Sequence, residues 1–113
     1  MMFNKSRAGD LIRQGHLLQA VLLDSEGLLI DAAGERYEPE KLSSVFFSVR
    51  TLAADLEREL DITEVLEFSF RMPAQRMRLN IRHVPSKGQD LILICLLPIP
   101  LSHMPTLREL LMS

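Results

Sequence analysis

Residues able to bind a metal or activate water are few in this chain and far apart. The histidines are His16, His83 and His103, and no two of them have the short spacing of metal ligands. The acidic residues of the stretch ERELD have the pattern of a solvated helix end: Glu57, Glu59 and Asp61. We therefore expect neither a metal site nor a cofactor.

Nucleophilic chemistry has equally little support. Ser43, Ser44 and Ser48 lie within a helical pattern and lack the glycine frame of a nucleophile elbow. The one cysteine, Cys95, sits inside the apolar run LILICLL, where a buried thiol behaves as a small hydrophobic group. The turn sequence DSEG lacks the repeated oxygen ligands of a calcium loop. The sequence predicts no catalytic residue, and we expect the protein not to be an enzyme.

Two sets of residues could bind a partner instead. The first is a row of arginines on one side of a predicted strand pair, which could bind an acidic protein or a phosphate-bearing surface: Arg71, Arg76, Arg78 and Arg82. The alternative is a solvated strand face on which these arginines only add solubility. The second set lies on a long helix.

That helix is predicted from Pro39 to Leu60. Apolar residues recur there at three- and four-residue intervals and form one broad stripe on a helix that covers the core: Leu42, Val45, Phe46, Val49, Leu52, Ala53, Leu56 and Leu60. The residues expected to hold the helix to the protein's own sheet are Leu42, Val49, Leu52 and Leu56. Phe47 and Ala54 lie on the other side of the helix. This side predicts a dimer or partner interface of Phe47, Arg50, Ala54, Glu57 and Arg58. In the alternative, Phe47 packs under the loop of residues 34–38.

Strand-like segments lie on both sides of the helix in the sequence. Residues 16–24 and 28–33 form a hairpin through the DSEG turn, and three more strands follow at 64–72, 75–83 and 90–98. Short helices are predicted at about 5–14 and from Thr106, the latter with Leu107, Leu110 and Leu111. The first and last strands are apolar on both sides and belong at the sheet centre. The predicted fold class is α+β: a five-stranded antiparallel sheet, order 2-1-5-4-3, with the long helix on one face and the short N- and C-terminal helices on the other.

The third and fourth strands alternate cleanly between apolar and polar residues. With a loop centred on Pro73 and Ala74, the register predicts three apolar pairs: Phe70 with Met77, Phe68 with Leu79, and Leu66 with Ile81.

The third strand is predicted at the sheet edge, where it can pair with a second copy of the chain. The predicted interface residues are Leu66, Glu67, Phe68, Ser69, Phe70 and Arg71. A twofold axis through Ser69 sets Glu67 opposite Arg71 of the second copy, so opposite charges meet twice. The two long helices would then cross near Ala54, with Arg50 close to Glu57 of the second copy.

Composition limits the class of protein. With 113 residues, 47% of them hydrophobic, the chain can form one domain that spans residues 1–113. A net charge of -2 argues against nucleic-acid binding. The sequence has neither a membrane-spanning apolar stretch nor a signal peptide, so we expect a cytoplasmic protein without a membrane partner.

The chain resembles a roadblock/dynein light chain family domain of the bacterial type, similar to the GTPase-regulating partner proteins of gliding motility. The resemblance rests on the hairpin AVLLDSEGLLIDAAG, the long helix, and the strands EFSF, RLNIR and DLILICLL. It implies a profilin-like fold and a homodimer with one continuous sheet. It also implies binding to a Ras-like small GTPase, as a regulator or scaffold. The family has no fixed catalytic residue, so stimulation of GTP hydrolysis would act by repositioning the GTPase's own switch residues.

The main rival is a PAS-like small-ligand sensor domain, which shares the strand order and the first hairpin. A sensor has several short helices and a ligand cavity between its second and third strands. This chain uses that interval for one uninterrupted helix. The sequence therefore favours the protein-interaction function.

Overall fold

The computed structural model describes residues 3–65, 67–86 and 88–99 together with Leu110. Its elements are α1 (Lys5–Arg13), β1 (Gln19–Asp24), β2 (Leu29–Ala33), α2 (Pro39–Leu60), β3 (Glu67–Met72), a 3₁₀ turn (Pro73–Gln75), β4 (Met77–Ser86) and β5 (Gln89–Pro98). The predicted succession of elements is confirmed as far as β5. The helix predicted from Thr106 lies outside the described residues except for Leu110, which is helical and buried.

The five strands form one antiparallel sheet in the order β2-β1-β5-β4-β3, as predicted. β1 and β5 are buried along nearly their whole length because they lie in the middle and are covered on both faces. On one face, Ala8 and Leu11 of α1 pack over β1 and β5. On the other, Leu42, Phe46 and Val49 of α2 pack over the same strands and over β4.

The register predicted for β3 and β4 is wrong by two residues. Phe70 pairs with Leu79 and Phe68 with Ile81, rather than with Met77 and Leu79. The reason is the connection: the chain makes a 3₁₀ turn and then passes through Arg76, which has a left-handed φ of 54°. A shift of two residues preserves the side-chain alternation, so every residue stays on its predicted sheet face.

Helix α2 crosses the sheet from the β1 side to the β3 side. Near its start, the Gln19 side chain of β1 donates from Nε2 to the Tyr37 carbonyl at 2.7 Å and accepts from the Tyr37 N–H at 2.9 Å. Near its end, a carboxylate oxygen of Glu57 accepts from the N–H of Val65, just before β3, at 2.9 Å. The helix therefore lies diagonally over the sheet, held at both ends by hydrogen bonds to other parts of the chain.

The predicted apolar stripe of α2 is only partly buried. Leu42, Phe46 and Val49 are 4 to 8% exposed, but exposure rises to 36% at Val45, 44% at Leu52 and 62% at Leu60. The expectation that Leu52 holds the helix to its own sheet is therefore wrong.

No helix in the described part of the chain is long and apolar enough to cross a membrane.

Candidate functional site

The described residues hold no cluster of three or more histidine, cysteine, aspartate or glutamate side chains able to bind a metal ion. Cys95 is fully buried in the core on the α1 side, and this burial raises the pKa of its thiol. A thiol held neutral in an apolar core is a poor nucleophile. The remaining candidate sites in the described part of the chain are surfaces.

The first candidate surface is the outer edge of β3. Its inner edge pairs with β4 over all six residues, and its outer edge faces no other described strand. Phe68 and Phe70 stack on the α2 face with their ring centroids 6.2 Å apart, and Phe70 is 38% exposed. Of the predicted edge residues, Glu67 to Arg71 lie in this strand, and Leu66 lies outside the described residues. An unpaired edge beside exposed aromatic rings is suited to pairing with another chain.

An open apolar pocket adjoins this edge on the α2 face of the sheet. It has a volume of about 270 Å³, and its lining consists of Tyr37, Lys41, Leu42, Val45, Met72, Met77, Leu79 and Leu96. The floor is sheet surface from β3, β4 and β5, and one wall is the N-terminal part of α2. Here the apolar face of the sheet extends beyond the helix that covers the rest of it.

One side of α2 faces this pocket, and we call it the pocket flank: Lys41, Val45 and Leu52. Lys41 and Val45 line the pocket directly. Leu52 follows Val45 by seven residues, two helical turns, and so projects on the same side. Val45 and Leu52 are both more than a third exposed, and Val45 is the one of the two that lines the pocket.

The opposite side of α2 faces the turn between β1 and β2, and we call it the hairpin flank: Ser43, Phe47 and Ala54. The Ser43 hydroxyl donates to the Gly27 carbonyl at 2.7 Å. The Phe47 ring lies so close to Gly27 that an added Cβ would meet its Cζ atom at 2.5 Å. Phe47 thus packs on the turn of the first hairpin, not under the loop of residues 34–38, while 43% of its surface stays exposed.

The other predicted helix residues make contacts within the chain. The Arg50 guanidinium lies 5.7 and 5.3 Å from the ring centroids of Phe46 and Phe47. Glu57 binds the Val65 N–H, and Arg58 forms ion pairs with its helix neighbours Asp55 and Glu59. The structure describes one copy of the chain, so an interface at Phe47, Arg50, Ala54, Glu57 and Arg58 stays a prediction. Phe47 and Ala54 project away from the pocket flank.

Three of the four arginines in the predicted row lie on one face of the β3–β4 strand pair. Arg71 pairs with Arg78 across β3 and β4, and Arg82 pairs with Glu67, all on the α1 face. Glu67 also accepts from the Asn80 side chain at 3.1 Å. Arg76 lies in the connection between the strands and does not belong to the row. The role of the three strand arginines stays open between partner binding and solubility.

A second, smaller cavity lies under the middle of α2. Its volume is about 50 Å³, and its lining consists of Phe46, Val49, Arg50, Ala53, Val65, Phe68, Ile81 and His83. A space of this size holds a water molecule or two rather than an organic ligand.

The sequence pattern placed three exposed residues of α2 in the apolar stripe of the core-covering helix: Val45, Leu52 and Leu60. Periodicity alone cannot distinguish a buried apolar position from an exposed one. The length of α2 could have indicated that part of its apolar stripe extends past the sheet. A helix of 22 residues is about 33 Å long. Five strands about 4.8 Å apart span roughly 19 Å between the outermost two. A helix that crosses such a sheet must extend past it.

Comparison with models of known protein families gives no match for this sequence. No match is found among curated proteins either. Solved structures do match. MglB from Myxococcus xanthus superposes with a TM-score of 0.68 at 17% identity, covering 92% of this chain and 81% of that protein. A roadblock/LC7 domain from Streptomyces avermitilis gives 0.68 at 16% identity, covering 96% and 89%. The gliding protein MglB from Thermus thermophilus gives 0.57 at 15% identity, covering 96% and 85%.

These similarities establish the fold. The chain has the roadblock/LC7 α+β architecture, a five-stranded antiparallel sheet in the order 2-1-5-4-3 with two described helices on opposite faces. The resemblance inferred from the sequence is thereby confirmed at the level of the fold.

Proposed function

We propose that this roadblock-fold chain is a non-catalytic homodimeric regulator or scaffold that binds a Ras-like small GTPase. The observation that carries the proposal is the β3 edge: a strand whose outer edge pairs with no described strand and whose exposed aromatic face lies next to an open apolar pocket. A second copy that continues the sheet would cover both, and apolar burial would drive the association.

The register of the proposed dimer follows from charge. With a twofold axis through Ser69, Phe68 of one copy lies opposite Phe70 of the other. Glu67 then lies opposite Arg71 of the second copy on the α1 face. Cross-strand pairs of these types contribute roughly 0.2 to 1 kcal/mol each, which selects a register without driving the association.

The hairpin flank of α2 remains uncovered in this dimer, and we assign it to the GTPase. Phe47 and Ala54 lie there, with Arg50, Glu57 and Arg58 as the other residues of the proposed surface. Exposed Leu28 and Leu29 of the first hairpin extend its apolar area, at 63% and 46% exposure. The fold shared with MglB and the roadblock/LC7 domain supports the class of partner, and the choice of surface rests on its exposed apolar residues. The protein would act by repositioning the GTPase's own residues, because the family that the chain resembles has no fixed catalytic residue.

The sensor alternative has less support. The cavity beneath α2 is too small for an organic ligand, and the larger pocket opens sideways at the β3 edge instead of being enclosed. A ligand in that pocket would lie in the space that the second copy fills in the proposed dimer.

Two variants separate the dimer from the GTPase surface. Phe70→Glu puts a charge on the proposed strand interface, and we expect sedimentation to give a monomer. Ala54→Arg enlarges an exposed residue on the hairpin flank, and we expect this variant to remain a dimer. In a pull-down assay it should no longer retain Ras-like GTPases of the same genome, loaded with GDP or with a non-hydrolysable GTP analogue.

The control is Ile30→Glu, on the opposite edge strand. A substitution on α2, such as Leu60→Glu, is unsuitable as a control because α2 is part of the proposed surfaces. Ile30 is 50% exposed, and its substitution should leave the sedimentation mass unchanged. A wild-type monomer that co-purifies with a small molecule would favour the sensor instead. A dimer of Phe70→Glu that is lost in Ala54→Arg would show that the helices associate through the hairpin flank.

A further inference from the structure

The small cavity under the middle of α2 combines apolar walls with side chains that donate hydrogen bonds. Its volume is about 50 Å³, and it is partly open to the surface. Arg50 of α2 and His83 of β4 are polar, whereas the other lining residues that the structure describes are apolar. A space that holds a water molecule or two also accommodates the oxygens of one carboxylate group. The cavity therefore has the size of a single small anionic group.

Arg50 is held at this cavity without using its hydrogen-bond donors. Its guanidinium carbon lies 5.7 Å from the centroid of the Phe46 ring and 5.3 Å from that of the Phe47 ring. These cation–π contacts restrict the side chain, but the rings offer no oxygen or nitrogen acceptor. Within the described part of the chain, the guanidinium forms neither an ion pair nor a hydrogen bond. Its N–H groups are thus available to a ligand.

His83 reaches the same cavity from the sheet. It follows the core residue Ile81 by two positions in β4, so both side chains lie on the α2 face. The imidazole is half-buried, and no described residue forms a hydrogen bond or an ion pair with it. An imidazole carries at least one N–H donor in either protonation state. Donors from two elements therefore border one cavity whose described lining includes no acidic residue.

We propose that Arg50 and His83 form a binding site for one carboxylate group, supplied by an aspartate or glutamate of the partner that occupies the hairpin flank. This inference rests on the proposed function and names the chemistry that the partner presents to that surface. Arg50 connects the two places, because its guanidinium lies over the ring of Phe47, a hairpin-flank residue, and also lines the cavity.

A carboxylate fits this cavity better than a phosphate group. Its oxygens accept from the guanidinium and from the imidazole N–H, and such charge-assisted hydrogen bonds are short and strong. A phosphate group brings more oxygens and more charge between walls that are otherwise apolar, where acceptors without donors are costly. The partner surface therefore has an acidic side chain surrounded by apolar ones, which match exposed Phe47 and Leu28.

Sodium acetate is the probe for the site itself. It is titrated into the isotope-labelled protein at constant pH and ionic strength, with sodium chloride as the balancing salt. We expect saturable NMR shifts of the Arg50 side-chain N–H and the His83 ring, with half-saturation on the order of 10 mM, as charge-assisted hydrogen bonds provide. Sodium phosphate in place of acetate should shift these signals less.

Paired variants separate a donor role from a structural one. Arg50→Met and His83→Leu each remove a donor and should weaken acetate binding roughly 10-fold or more. Arg50→Lys and His83→Asn each keep a donor and should retain part of the affinity, a difference that a merely structural role would not produce. The matched controls are Arg36→Met and His16→Leu, which replace exposed residues outside the cavity lining and should change nothing. The backbone amide spectrum of each variant verifies that it is folded.

The source of the carboxylate is tested with the nucleotide-loaded GTPases of the pull-down assay. Arg50→Met and His83→Leu should each weaken retention of the GTPase roughly 10-fold in Kd, and Arg50→Lys should weaken it less. The controls Arg36→Met and His16→Leu should bind as the unsubstituted protein does.

The outcomes distinguish this inference from the proposed function. Acetate shifts that are absent, or that persist in Arg50→Met and His83→Leu, overturn the site, and tighter binding of phosphate than of acetate overturns the carboxylate assignment. A GTPase that binds these two variants as tightly as the unsubstituted protein overturns the partner contact and leaves the proposed function standing. A chain that binds acetate at Arg50 and His83 but retains no GTPase overturns the proposed function and leaves the carboxylate site standing.

Discussion

At the scale of single residues, the turn of the first hairpin explains why aspartate and glycine occur three positions apart. One Asp24 carboxylate oxygen accepts from the N–H groups of Glu26 and Leu28, both at 2.9 Å. Gly27 has a φ of 88°, a conformation that residues with a Cβ adopt at a cost. The same glycine provides the flat surface on which the Phe47 ring lies. This turn therefore positions the hairpin flank of α2.

We predict that Gly27→Ala lowers the free energy of unfolding by about 2 to 4 kcal/mol, because it adds backbone strain and a clash with the Phe47 ring. Gly88→Ala is the control: its φ is 73° but no atom lies within 4 Å of the added Cβ, so the cost should be about 1 kcal/mol. Urea denaturation at a fixed protein concentration measures both. In a Phe47→Ala background the penalty at Gly27 should shrink, and an undiminished penalty would show that the ring contact is unimportant.

At the scale of elements, α2 is positioned by hydrogen bonds at its ends as much as by its apolar stripe. The Gln19 amide is fully buried and pairs with both backbone groups of Tyr37, in the way that a neighbouring strand would. It attaches the loop before α2 to β1. Because Tyr37 also lines the open pocket, this pair of hydrogen bonds fixes one wall of the proposed interface.

We predict that Gln19→Ala costs about 2 to 4 kcal/mol of stability, since it removes two hydrogen bonds and leaves a gap in the core. Hydrogen exchange should show early loss of protection at the Tyr37 amide, before the sheet opens. Gln89→Ala replaces an exposed glutamine at the start of β5 and should change stability by less than about 0.5 kcal/mol. Exchange at Tyr37 as slow as in the unsubstituted protein would contradict the prediction.

At the scale of the whole molecule, the two edges of the sheet differ in their ability to pair. β2 has an irregularity, since Leu22 pairs with Asp31 but the next residue, Leu23, pairs with Leu29. The extra residue Ile30 bulges from the strand, and bulged edges accept another strand poorly. β3 pairs with β4 from Glu67 to Met72 without a register shift. The sheet therefore favours association at β3.

We predict that Arg71→Glu weakens the dimer by roughly 10-fold in Kd, because two opposite-charge pairs become like-charge pairs. Adding Glu67→Arg should restore the affinity by reversing both partners. The difference should fade at 1 M salt, where the screening length falls to about 3 Å. Sedimentation at two salt concentrations measures it, with Arg36→Glu, an exposed residue of the β2–α2 loop, as the control. If the double variant does not recover the dimer affinity in low salt, the two β3 strands pair in another register.

Much of the fold followed from local patterns in the sequence. Strand and helix periodicities differ, so EFSFRM and the stretch from Pro39 to Leu60 were recognisable, and two-sided apolar runs identified the central strands. The register of β3 and β4 did not follow, because it depends on a left-handed φ at Arg76, a residue type that rarely adopts one. The edge position of β3 followed from the predicted strand order, and the pairing of that edge with a second copy stays a prediction.

The sequence by itself determined which side chains are apolar and how they repeat along each element, since both are local properties of the chain. Only the tertiary structure decided which of these repeats are covered. Leu42 and Leu60 are equivalent on the helix, yet the first lies over the sheet and the second beyond it. Phe47 likewise lies on the turn at Gly27 because two segments distant in the chain meet there. Burial depends on what lies opposite a residue, and that is a property of the whole fold.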